Sequence, residues 1–228
     1  MLVDLLHLCD SLFPVGAFAY SDGLETAASE QVRLKPDTTY EVLREWIDVV
    51  LDESIGRLEG PAVWRAWLAF RERDWDALTA LDDELVALRP AASARRSSRA
   101  MGLRLLTTWQ ALHPDPRLDH ALQLAARGAR GPSLPIAFAG ACACGNVDRG
   151  DAVQAFAYTR LAATVSAAMR LMAIGQTDAH ALLARTLARV PAAVEAIAAR
   201  DAAPQSFTPA MDLAAMSQQY LHSRLFRS

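Results

Sequence analysis

The chain has 228 residues, 52% of them hydrophobic and 21% charged, with a formal net charge of −3. That length favours one domain and lets about 70% of the extended surface be buried, so a core can form without disulfide or metal staples. The composition excludes a disordered chain, and the net negative charge argues against strong non-specific nucleic-acid binding.

Three cysteines, Cys9, Cys142 and Cys144, are an odd number and too few for a disulfide framework, so a reducing compartment is the simpler reading. The first residues are apolar and contain Ala17-Phe18-Ala19. However, no Lys or Arg precedes Arg33, and Asp4 and Asp10 interrupt the run, unlike a signal peptide. No apolar stretch reaches the ~20 residues that span a bilayer. A soluble, cytoplasmic protein is expected. Residues 1–114 carry a net −6 and residues 115–228 a net +3. Between Leu85 and Pro114 lie five arginines (Arg89, Arg95, Arg96, Arg99 and Arg104) and no acid. Lys35, beside Pro36, is the only lysine, which leaves little room for lysine chemistry.

The hydrophobic period is helical along most of the chain. Thr38 and Glu41 have capping-box spacing, followed by Leu43, Trp46, Ile47, Val50 and Leu51 on one face. Pro61 suits the first turn of a separate helix. Asp74 can cap a segment carrying Trp75, Leu78, Leu81, Leu85 and Leu88. Ala92 to Leu112 reads as a helix, and so does a shorter stretch from about Leu118 to Arg127. Asp148 to Ile174, rich in alanine, reads as a long central helix stopped by Gly175. Thr177 can cap the next helix. Pro191 separates an alanine-rich piece, and Thr208-Pro209 opens the last helix. The expectation is an all-α, single-domain helical bundle of roughly ten helices with no β-sheet. It spans residues 1–228, with 1–23 an N-terminal segment and loop and 221–228 a tail.

Catalytic signatures are absent: there is no phosphate-binding or dinucleotide glycine motif and no nucleophile elbow. Cys142-Ala143-Cys144 and His7-Leu8-Cys9 have i, i+2 spacing, which on a helix points to opposite sides. They read as buried cysteines unless the segments are extended. Asp82-Asp83-Glu84 lacks a second acidic turn, so it reads as a solvated face rather than a magnesium-pyrophosphate site. A helical metal- or pyrophosphate-dependent enzyme remains the alternative function, and a DNA-binding regulator using Arg95–Arg104 a second one. Arg95 and Arg99 share a helix face without acids at i±4. They form either a solvated face or a basic docking surface. The loop Leu12–Tyr20, with Phe13, Val15, Phe18 and Tyr20, carries no charge and either packs on its own core or meets a partner. The end, Tyr220 to Ser228, places Leu225 and Phe226 between arginines. It either docks on its own chain or orders on a partner.

Both ends also carry a resemblance. Leu5–Ser11, Pro14–Phe18, Ser21 and Gly23-Leu24-Glu25, together with Thr208–Met216 and Tyr220–Ser228, resemble the opening and closing patterns of UreF-type urease accessory proteins. Arg95, Ser98–Gly102 and Arg104–Leu106 fit between them, as do Ser166–Leu171 and Gly175-Gln176-Thr177. One departure is Ser217-Gln218-Gln219, where the family usually has a basic-acidic stretch. The resemblance implies a non-enzymatic maturation factor. It would act as a homodimer that binds a UreD/UreH-type scaffold, recruits the UreG-type GTPase and docks on apo-urease. GTP hydrolysis would drive nickel insertion, with no cofactor permanently bound and nickel passing through the complex. Partner contact is then expected from Arg224, Leu225, Phe226, Arg227, Ser228 and Tyr220, from Phe18, Tyr20 and Glu25 at the first loop, and from Arg95 and Arg99. On that reading, deletion of Ser223–Ser228 leaves helicity and thermal stability nearly intact but abolishes assembly with the GTPase.

Overall fold

The computed structural model describes residues 2–16, 19–31, 36–128 and 131–227. Twelve α-helices occur among them, in chain order: α1 (Leu2–Cys9), α2 (Leu24–Gln31), α3 (Pro36–Val49), α4 (Gly60–Glu72), α5 (Trp75–Ala87), α6 (Ala92–Leu112), α7 (Pro116–Arg127), α8 (Leu134–Cys144), α9 (Arg149–Leu171), α10 (Gln176–Leu187), α11 (Val190–Arg200) and α12 (Pro209–Ser217). A π-helical segment, Val50–Glu59, joins α3 to α4, and a 3₁₀ turn, Gln218–Tyr220, follows α12. No strand occurs among the described residues, and the all-α, single-domain expectation holds.

Asp74 is the cap read from sequence: it accepts the Ala77 N–H at 3.0 Å and starts α5. At α7 the sequence reading began near Leu118; Asp115 accepts the Arg117 N–H at 2.8 Å and starts the helix at Pro116. Other boundaries differ. Thr38 lies inside α3, which begins at Pro36. The alanine-rich α9 ends at Leu171, three residues before the expected Ile174, because Met172 turns extended. Gly175 precedes α10 instead of stopping α9, and Thr177 sits within its first turn. The two helices expected around Pro61 are one continuous run, Pro36–Glu72. Proline lacks an N–H and crowds the carbonyl four residues back. That carbonyl, on Arg57, is bonded instead by the Gln205 N–H at 2.8 Å. The neighbouring Gly56 carbonyl accepts from the Arg200 guanidinium at 2.8 Å, and the Gly60 N–H reaches Ile55, five residues back. The wider π register thus carries the helix through its proline while distant donors satisfy the released carbonyls.

The core centres on α8, whose residues from Leu134 to Ala143 are all buried. A helix apolar on every side has no amphipathic period, which is why periodicity does not reveal it. It packs on α4, α6, α7 and α9. Gly140 permits a close approach to α4, since a Cβ there would stand 2.5 Å from the Phe70 ring. The α9 helix is central as expected: it touches α1, α2, α3, α4, α8, α10 and α11.

One buried ion-pair network fastens the N-terminal loop to this core. Arg160 of α9 donates to Glu59 at 3.0 Å and to Asp22 at 2.6 Å, and Arg89 also pairs with Glu59. Burial alone would raise the Asp22 pKa, but the Arg160 charge and hydrogen bond outweigh it and hold the carboxyl below its ordinary value. Burial likewise opposes the charge on Arg160, and Glu59 and Asp22 more than restore it. Replacing Arg160 with Met leaves two carboxylates without this cation, and we expect a loss of about 3–5 kcal/mol in urea unfolding. Because the folded Asp22 pKa is depressed, its contribution is complete above the unfolded value near 3.8 and disappears as pH falls through the lower folded value. In Asp22→Asn, that acid-dependent part of the unfolding curve should be missing.

Candidate partner-docking site

The two ends of the chain meet at one place. Gly23, at φ +94°, turns the chain into α2 directly against α12; a Cβ there would stand 2.7 Å from the Ala215 backbone nitrogen. The Ser21 hydroxyl accepts the Glu25 N–H at 3.4 Å and donates to the Gln218 side-chain oxygen at 3.4 Å. Glu25 is buried. Its carboxylate accepts the Gln218 amide at 3.0 Å, the Phe226 N–H at 3.2 Å and the Leu225 N–H. The Arg227 N–H donates to the Ala19 carbonyl at 2.8 Å, pairing the tail with the first loop. Phe226 is buried, and the Arg170 guanidinium lies 4.4 Å over its ring.

The expected contact residues therefore divide. Phe226 and Glu25 are interior and hold the tail to its own chain, so a tail removable without loss of stability is corrected. Leu225 and Tyr220 are exposed, the latter at 82%, and Arg224 and Arg227 are exposed beside them. Tyr20 is half-buried at the rim. Phe18 and Ser228 lie outside the described residues. In the first loop, Phe13 is buried against Trp109, ring centroids 6.0 Å apart, so that part packs on its own core.

Arg95 and Arg99 depart from the reading of unpaired cations. Arg95 donates to the Arg89 and Pro90 carbonyls at 2.6 and 2.7 Å, closing the turn between α5 and α6. Arg99 is mostly buried and donates to Asp82 at 3.1 Å, while Asp82 also accepts the Ser133 N–H at 3.0 Å. The acids at 82–84 were thus not simply a solvated face: Asp82 supplies a partner that a search confined to i±4 could not find. Gln218, read only as a departure, proves to be the side chain that joins Ser21 and Glu25.

The cysteines lie on helices. Cys142 is buried in α8, Cys144 is half-buried at its end and Cys9 is half-buried in α1. Burial pushes the Cys9 thiol up to about 11 and Cys144 up to about 12, so both are neutral near pH 7. Among the described residues, no group of three or more His, Cys, Asp or Glu is placed to hold a metal ion. No described helix is long and apolar enough to cross a membrane. A second surface lies on α1, where Leu2, Val3 and Leu6 are exposed. It borders an apolar groove of about 960 Å³ that α9 lines with Tyr158.

The UreF family model matches residues 38–187. The chain belongs to the UreF family. The "Urease accessory protein UreF" of Nitrosococcus oceani is 32% identical over 225 residues, covering 98% of this chain and 97% of the relative. That of Azoarcus sp. strain BH72 is 33% identical over 232 residues, covering 100% and 95%. That of Methylobacillus flagellatus is 32% identical over 232 residues, covering 100% and 97%. The match to UreF relatives thus runs through both clasped ends, which lie outside the segment the family model matches.

The clasp has a measurable weight. Phe226→Ala should cost about 3 kcal/mol through lost burial, and Glu25→Ala about 2–3 kcal/mol by stranding buried donors. Thermal unfolding checks both. Midpoints indistinguishable from the parent would show that the tail is not seated.

Proposed function

We propose that this chain is the adaptor of a urease maturation complex. In this reading it binds a UreD/UreH-type scaffold, recruits the UreG-type GTPase as a homodimer, docks with them on apo-urease, and couples GTP hydrolysis to nickel insertion. It carries no catalysis itself and acts in the cytoplasm, with nickel as cargo of the complex. Family membership supports the setting. The observation that carries the adaptor role is the clasp, which fixes exposed Tyr220 and Leu225 beside arginines on a framework tied to the core. Aromatic and arginine side chains at a pre-ordered surface are what strong protein interfaces use, and pre-ordering removes entropy otherwise lost on docking. The exposed leucines of α1 and the groove beside Tyr158 support self-association by a separate face.

The test is co-elution with the scaffold protein and the GTPase, with and without GTP. Leu225→Ala and Tyr220→Ala should weaken assembly at least tenfold while leaving the unfolding midpoint within about 2 °C of the parent, since neither side chain is in the core. Unchanged co-elution of both variants would contradict the assignment of this surface.

A further inference from the structure

A cavity of about 250 Å³ lies where the first loop, α6 and the tail come together. Arg104, Arg170 and Arg227 all line it, and among the described residues no acidic side chain does. Each arginine comes from a different element. Arg104 projects from α6 toward Gly16, where an added Cβ would stand 3.2 Å from its Nη1. Arg170, one residue before the end of α9, is aligned by Phe226, and Arg227 follows the clasped Phe226 directly. Arg104, Arg170 and Arg227 thus bring three guanidinium groups to the wall of one small space. Guanidinium groups bind oxyanions through charge-assisted, geometrically matched hydrogen bonds.

The size and walls select the anion. The volume is below the usual range for drug-sized ligands, so a nucleotide is too large and one oxyanion group fits. Val15, Tyr20 and Leu225 complete the wall with apolar surface, which suits a methylene stem behind the charge. We propose that this cavity is a receptor for a glutamate or aspartate side chain of a docking protein. It rests on the adaptor reading and gives it a chemical specificity: the partner segment is acidic. The clasp builds the site, because Arg227 reaches the cavity only with the tail seated.

The full-length chain is titrated with glutarate, a stand-in for a glutamate side chain, and with inorganic phosphate at constant ionic strength, by calorimetry and thermal unfolding. Glutarate should bind in preference to phosphate. Arg104→Gln and Arg227→Gln should each weaken it about tenfold. Ala100→Glu is the second arm: it sets a carboxylate four residues before Arg104 on the same helix face. It should abolish the glutarate response while raising the unfolding midpoint at low salt. The same variants should lose scaffold or GTPase co-elution about tenfold. Preference for phosphate, or a glutarate response unaltered in Arg104→Gln and Ala100→Glu, overturns the proposal. Parent protein that binds glutarate but neither partner overturns the adaptor reading and leaves the carboxylate pocket supported.

Discussion

A carboxylate buried near the start of the chain ties down its other end. Glu25 accepts N–H groups from Gln218, Leu225 and Phe226, all neutral donors. A buried acceptor of this strength is costly to leave unsatisfied, so the tail that supplies two backbone donors is held where they can reach it. The consequences follow in order. Phe226 enters the core, Arg170 closes over its ring, Arg227 pairs with the Ala19 carbonyl, and Leu225 and Tyr220 are left facing outward. The outward-facing surface here is what remains when the clasp is satisfied.

The clasp depends on a deeper anchor. Glu25 is placed by α2, and α2 starts from the Asp22-Gly23 turn. Asp22 is gripped by Arg160, whose other carboxylate, Glu59, stands at the last position of the π segment. The irregular register that carries Pro61 inside a helix therefore also sets the position of the N-terminal loop. Distortion in the middle of the molecule and the geometry of the clasped ends are linked through one guanidinium.

Much of the fold was legible because amphipathic helices advertise themselves. The stripe on α5 with its Asp74 cap is written in the sequence, and so is the extent of α6. The parts that were not legible share physical reasons. The α8 helix is apolar all round and so has no face to detect. The run through Pro61 depends on donors from Gln205 and Arg200, about 150 residues away in the chain. Arg99 seemed unpaired because its acid, Asp82, lies on another helix. At the tail, an apolar pair between arginines suits either a partner or the chain itself. Only the position of Glu25 in space separates Phe226, which is interior, from Leu225, which is not. Gln218 carries no local signal at all, since its role exists only once residues 21, 25 and 218 meet.

The seating of the tail by Glu25 is tested most directly by amide hydrogen exchange at Leu225 and Phe226 in the isolated chain. Protection at both amides, lost in Glu25→Ala while α8 stays protected, is the predicted result. Exchange at the rate of an unstructured peptide in the parent protein would show that the end is not clasped, and that its contact surface is ordered only by a partner.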